Sequence, residues 1–352
     1  MPDSTQPHST RPWRLVVGIT VVAALVVSGV ILVSRSRQQG SGQASAVDDA
    51  STSPAMPTTI KRPSVITDFV EPDNPSAVGV TVMSFTDLTR TTPARGSREA
   101  LTTRPLTVVV RYPTVGMPGE DELVDAPPYE PAPLVLFAHG YDISTQRYQA
   151  LLHDVAAAGF VVAAPEFPMA STVFDGAPDE YDIPEQARDL SFLITAMASP
   201  DSPTVLSGMV DPGPVAVMGH SDGAVTALLA GYAPRYADSR IAAVIAASGD
   251  FDTFGGAWFT TNDPPLLATH GEYDEINPFG SSMTLVDNDP GEAMLVGVME
   301  ASHLGSVTDP ATEPAVARLI AFDLRWRLGG SAEARLRTYA VASTPPLELV
   351  SG

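Results

Sequence analysis

Ser221 lies between two glycines in Gly219-His220-Ser221-Asp222-Gly223, a Gly-x-Ser-x-Gly pattern. Far downstream, Asp274 ends the run His270-Gly271-Glu272-Tyr273-Asp274, and His303 sits in Glu300-Ala301-Ser302-His303-Leu304-Gly305. A hydroxyl, an imidazole and a carboxylate are the groups that nucleophilic acyl transfer needs. The hydroxyl is a weak nucleophile until a base takes its proton, and a carboxylate behind the ring keeps the imidazole in the tautomer that can accept it. Donors must also meet the negative charge that grows on the carbonyl oxygen. With no cysteine in the chain, thiol nucleophiles, thiolate metal sites and disulfides are excluded, and the redox compartment is left open.

A serine of this kind has to be lifted clear of the backbone by an abrupt strand-to-helix turn. Residues 214–218 (Pro-Val-Ala-Val-Met) read as a short buried strand, and residues 224–230 as a small-residue helix. Glycine at 219 and 223 lets the two pack closely while Ser221 takes strained dihedrals. An ordinary glycine-rich turn would show the same pentapeptide; the downstream carboxylate and imidazole set this one apart.

Of six histidines, His303 alone follows the last parallel-strand signal. His8 lies in the N-terminal tail, His153 on an expected helix and His270 at a strand end, while His139 and His220 stand in motifs where histidine packs or hydrogen-bonds beside a site. Asp250, after the strand at 241–247, is an alternative carboxylate to Asp274. Glu272 and Glu275 read as solvated turn residues. Asp287-Asn288-Asp289 resembles the start of a calcium loop, but Pro290-Gly291 breaks the spacing and a surface turn is expected. No metal or cofactor is expected.

The elements that position these groups alternate. Strand signals at 78–85 and 106–112 open the folded part, and further strands follow at 134–138, 160–164, 214–218, 241–247, 266–269 and 293–299. Helices are expected at 148–158, 184–198, 224–230 and 313–328. Such alternation means βαβ crossovers and a mostly parallel sheet, whose near-continuous apolar strands are covered on both faces. The proline-rich, acidic stretch 113–133 reads as a surface loop.

Ahead of this domain, residues 15–33 are uncharged and almost wholly apolar, and as a helix would span about 28 Å. Arginines and Trp13 flank the run. It reads as a signal anchor behind a short tail (1–14), longer than the usual signal-peptide core of about 7–15 residues. A cleaved secretory signal is the competing reading, with Ala44-Ser45-Ala46 as a cleavage site. Both put the domain outside the cytoplasm, the first as a single-pass protein of the cell membrane. Residues 34–76 have the composition of a disordered linker. Residues 77–330 form the expected catalytic domain, and 331–352 a C-terminal extension.

The net charge of −21, from 20 basic and 41 acidic side chains, repels nucleic acid and leaves no basic stripe, so nucleic acid is not an expected partner.

The order Ser221, Asp274, His303 is that of α/β-hydrolases. From about 78 to 328 the chain resembles that superfamily, and within it the serine esterases grouped around dienelactone hydrolase, platelet-activating-factor acetylhydrolase, chlorophyllase and cutinase-like enzymes. The resemblance rests on the paired opening strands, the His139-Gly140-Tyr141-Asp142 turn, the elbow, the His-Gly-x-x-Asp turn and the late histidine. It implies an α/β-hydrolase fold, with an eight-stranded, mostly parallel sheet and helices on both faces. By position it makes Ser221 the nucleophile, His303 the base and then acid, and Asp274 the orienting carboxylate. The backbone N–H groups of Tyr141 and Asp222 would form the oxyanion hole.

The chain departs from the family pattern in two ways. Asp222 sets a carboxylate beside the nucleophile, so its side chain is expected to point away, and the absence of cysteine removes the disulfides of many secreted cutinases. Only about 16 residues separate Ser248 from Pro265, too few for a large cap domain. Phe251, Phe254, Trp258 and Phe259 from that stretch, with Phe167 and Met169, are expected to line an apolar pocket, with ordinary packing beneath loops as the alternative. The expected substrate is a small-molecule or lipid-like ester. Amide or peptide cleavage by the same groups, and a catalytically silent envelope domain, are the alternatives.

Overall fold

Six short runs of valine, alanine, leucine and isoleucine, with scarcely a polar residue among them, have no face that suits water and settle in the middle of a sheet covered on both sides. The computed structural model describes residues 75–352 apart from 120, 200–207, 212, 250–258 and 261. The expected tail, apolar helix and linker lie outside these residues up to position 74. Among the described residues no helix is long and apolar enough to cross a membrane.

The opening hairpin joins β1 (Ala77–Asp87) to β2 (Arg104–Thr114), antiparallel from Ala77 opposite Thr114 to Asp87 opposite Arg104. A two-residue strand, β3 (Leu123–Val124), runs parallel to β1 within the stretch read as a loop. The parallel core follows as β4 (Leu134–Ala138), β5 (Val161–Glu166), β6 (Val215–His220), β7 (Ile241–Ala247), β8 (Leu266–Gly271) and β9 (Ala293–Val298). An antiparallel edge strand, β10 (Leu347–Ser351), closes the far side. The strand order is β10-β9-β8-β7-β6-β4-β5-β2-β1-β3. All eight expected strands are present, and β3 and β10 extend the sheet to ten.

Helices cover both faces. One core packs α2 (Ile183–Ala198) and α3 (Asp222–Tyr232) on residues such as Leu134, Leu136 and Val217, with Leu285 and Val286 of α4 (Phe279–Asn288). The opposite core packs α1 (Gln149–Ala157) and α6 (Glu313–Gly329) on Val135, Phe137 and Met218. A single turn, α5 (Gly305–Thr308), and α7 (Ala332–Ala342) complete this side. Pro184 and Pro314 stand in the first turns of α2 and α6, where a missing N–H costs nothing.

This topology creates the crevice. The chain leaves β4 to pass over one face and leaves β6 over the other, so the loops at their carboxyl ends diverge between two neighbouring strands. Ala138 pairs with Gly219 at that end, which sets His139-Gly140 beside His220-Ser221.

The opening hairpin is tied down by charge. Arg104 at the start of β2 is fully buried and donates to both carboxylate oxygens of Asp189 (2.7 Å) and of Asp182 (3.0 and 2.7 Å). Arg90 adds a bond to Asp189 at 2.6 Å. Even so, burial pushes the Asp182 carboxyl up to about 6, against the pull of Arg104. Folded Asp182 therefore holds its proton more tightly than the unfolded chain does, and stability from this group declines as pH rises from about 4 to 6. Replacing Arg104 by Met leaves buried Asp182 without its partner and Asp189 with Arg90 alone, and is expected to cost about 3–5 kcal/mol. Urea unfolding should show that loss at its greatest near pH 8 and reduced near pH 5, where the carboxyls protonate; equal loss at both pH values would contradict the account.

Candidate active site

The elbow is built from backbone contact. Ser221, between the last residue of β6 and the first of α3, has φ 58° and ψ −127°, a left-handed conformation that side chains avoid. A Cβ on Gly219 would strike the carbonyl of Gly223, and one on Gly223 the carbonyl of Ala138, so only glycine lets the helix fold back onto the strands. The Ser221 N–H donates to Ala247 of β7 at 2.9 Å, which fixes the turn to the neighbouring strand.

His303 follows β9 and is drawn beside this elbow. Its ring lies 4.7 Å from that of His220, the residue before Ser221. Its Nδ1 is 2.8 Å from Asp274 Oδ2, and the Asp274 side chain is fully buried while that of His303 is 12% exposed. Burial alone would raise the Asp274 carboxyl; hydrogen bonds from His270, His303 and the N–H groups of Asn277 and Ile276 overturn that and hold it well below the usual carboxylate range. The carboxylate is ionised and can only accept, so His303 Nδ1 carries the hydrogen, which in the neutral ring leaves the lone pair on Nε2.

His270 lay unassigned in the sequence beyond its place at a strand end. It is buried, with Nε2 3.1 Å from the Asn277 carbonyl and 3.2 Å from Asp274 Oδ2, while Nδ1 meets the Ser282 hydroxyl at 2.8 Å. It fixes the Asp274 turn from beneath, a role whose only sequence signal is the i, i+4 spacing. Glu272 and Glu275 are exposed, as solvated turn residues are, yet each also accepts a backbone N–H across the gap: Glu272 from Glu300 and Glu275 from His303, both at 3.1 Å. They clasp the turn after β8 to the turn after β9.

Tyr141 follows Gly140 on the loop after β4 and is 45% exposed. Gly140 packs against Ser221, whose Cβ is 3.1 Å from the position a glycine Cβ would occupy. Asp222 is half-buried; burial, with the Glu180 carboxylate adding to it, pushes its carboxyl up to about 6, and His303 pulls the other way.

The expected pocket residues are not all gathered at this crevice. Phe167 is fully buried with its ring 4.9 Å from that of His139, so it supports the loop after β4 from below and leaves the cleft to others. Met169 is buried, its sulfur 3.3 Å from Arg98 Nη2. Phe259 packs on Tyr232 at 4.8 Å, against the core. Phe251, Phe254 and Trp258, with the alternative carboxylate Asp250, lie outside the described residues. Asp289 accepts the Gly291 N–H at 2.7 Å in a tight turn at the end of α4.

Comparison with known proteins agrees with this architecture. The chlorophyllase family model matches residues 109–269, from β2 to β8. The structure is similar to a ferulic acid esterase from Streptomyces cinnamoneus, with a TM-score of 0.62 and 19% identity, over 78% of this chain and 96% of that one. No curated protein matches the sequence significantly. The sheet has the α/β-hydrolase fold, and its likenesses, to the chlorophyllase family over part of the chain and to a ferulic acid esterase in structure, indicate a carboxylic ester hydrolase.

Proposed function

We propose that the protein cleaves carboxylic esters through an acyl-enzyme on Ser221, with His303 as base and Asp274 as its orienting carboxylate. His303 Nε2 takes the hydroxyl proton as Ser221 Oγ bonds to the ester carbon. The same proton passes to the leaving alkoxide as the C–O bond breaks, and water reverses the sequence to release the acid. The N–H groups of Tyr141 and Asp222 receive the oxyanion. The observation that carries this reading is the 2.8 Å contact of His303 with a buried, ionised Asp274, set beside a serine on a strained strand-to-helix turn. The contact of Gly140 with Ser221 supports the oxyanion assignment.

The half-buried Asp222 carboxyl stands at the residue whose N–H is assigned to the oxyanion, so a charged side chain turned inward would oppose the reaction. The reading requires it to face away. Amide or peptide cleavage uses the same groups and is separated from esterase activity by testing short peptides and amides beside the esters. Residues 15–33 are assigned to a membrane anchor that holds the domain outside the cytoplasm, on their length and lack of charge.

Ser221→Ala is expected to abolish hydrolysis of p-nitrophenyl and feruloyl esters while moving the thermal midpoint little; full activity in that variant refutes the mechanism. Asp274→Asn leaves the ring in the wrong tautomer and should lower kcat by on the order of 10⁴-fold. A fluorophosphonate probe should label wild-type protein at Ser221, and well-folded protein that resists it would favour the catalytically silent alternative. For the anchor, full-length protein should stay with membranes through an alkaline carbonate wash, whereas a chain lacking residues 1–33 should not.

A further inference from the structure

Three buried polar side chains surround the elbow without a part in the proposed chemistry: His139, Tyr148 and His220, with exposures of 0%, 1% and 1%. They hydrogen-bond in sequence, and the groups at the ends have fixed roles. A carbonyl only accepts and an amide N–H only donates, so the direction of every bond between them follows.

From one end, the His303 carbonyl lies 3.0 Å from His220 Nε2, which must therefore carry the hydrogen. Burial and the neighbouring His303 push His220 down to about 3, so the ring is neutral and Nδ1 offers a lone pair. The Tyr148 hydroxyl, 3.0 Å away, donates to that lone pair. Its own oxygen is then free to accept the Gly140 N–H at 3.2 Å.

From the other end, the Phe167 N–H points at His139 Nε2 (3.1 Å), which must accept. His139 is likewise held neutral by burial, so Nδ1 carries the hydrogen and donates to the Gly140 carbonyl at 2.8 Å. Gly140 is thus gripped by both of its backbone groups. Across a trans peptide the carbonyl of Gly140 and the N–H of Tyr141 point in opposite directions. With the carbonyl drawn onto His139, the Tyr141 N–H is held facing the other way; a flipped peptide would withdraw that donor and present an oxygen in its place.

We propose that His139, Tyr148 and His220 are positioning residues, a hydrogen-bond relay of fixed direction that locks the Gly140–Tyr141 peptide in the orientation an oxyanion hole requires and ties it to the backbone of His303. The proposal rests on the ester-hydrolase reading of Ser221. It adds that the oxyanion donor and the base are set by one connected network, so that loosening its middle member weakens stabilisation of the transition state and leaves ground-state binding alone.

Tyr148→Phe removes one hydroxyl and keeps the ring that packs edge-on against Phe137. It should lower kcat roughly tenfold with KM within about twofold, because only the transition state uses the donor. Affinity for a trifluoromethyl ketone, which forms an anionic hemiketal on the nucleophile, should fall by the same factor. A side chain that merely packs would change the thermal midpoint without this split. Independently of activity, ¹⁵N NMR of the wild-type protein should show His220 as the Nε2–H tautomer, neutral at pH 5, and His139 as the Nδ1–H tautomer. Opposite tautomers overturn the relay, as do unchanged kcat and ketone affinity in Tyr148→Phe. Should that variant not fold, the wild-type spectra decide. Should wild-type protein resist fluorophosphonate, the esterase reading fails, while the spectra still test the relay.

Discussion

The site depends on one backbone-to-backbone approach, in which the first turn of α3 is pressed onto the ends of β6 and β4 at Gly219 and Gly223. That approach forces Ser221 into a conformation costing on the order of 1–3 kcal/mol, which persists only because the surroundings leave no alternative. The Ser221 N–H is spent on β7, and α3 is buried along nearly its whole length, Gly223 through Tyr232. A helix so buried cannot rotate to relieve the turn. The strain is thereby held by the core, and the hydroxyl is presented at the switch point of the sheet, between two loops that diverge.

The carboxylate side of the site is governed by a second balance. Removing Asp274 from water disfavours its charge, and what restores the charge is the number of donors aimed at it: two imidazoles and two backbone amides. Those donors come from the turn after β8, from β8 itself and from the turn after β9. The ionised state of Asp274 is therefore a property of the assembled sheet edge. The clasp of Glu272 and Glu275 onto the amides of Glu300 and His303 keeps that edge closed from the solvent side.

Much of this was legible in the sequence because it rests on local signals. Six of the eight expected strands are runs whose lack of a polar face leaves few alternatives, the opening two alternate, and the elbow is contiguous, so Gly219, Ser221 and Gly223 identify themselves. Elements at the margins were not legible. α4 (Phe-Gly-Ser-Ser-Met-Thr-Leu-Val-Asp-Asn) buries only Ser282, Leu285 and Val286 and has no sustained helical stripe; packing on the sheet makes it a helix. β10 is a five-residue edge strand with alternate residues facing water, too weak a pattern to stand out beside Pro345-Pro346. Phe167 misled for a related reason: an aromatic at the end of a strand reads as a cleft wall, but whether it faces the cleft or the core depends on the next turn of the chain. Tyr148 carried no motif at all, because its importance lies in what two other loops place around its hydroxyl.

The same reasoning explains why the crevice keeps its shape although loops build it. Loops have few apolar side chains to lock them, so their geometry must come from hydrogen bonds whose donors and acceptors have no substitute partners. Glu166, at the end of β5, accepts from the N–H and hydroxyl of Thr145 and from the Ser171 hydroxyl, and so joins the loop after β4 to the loop after β5. His139 joins the same two loops through Phe167, and His220 joins the elbow to the loop after β9. Each of these groups is buried, and a buried polar group left without its partner costs about 1–3 kcal/mol. A displacement of any one loop would orphan several at once. The loops of the crevice are consequently held by polar groups that the hydrophobic pattern of the sequence does not reveal, while the elbow between them is held by the core.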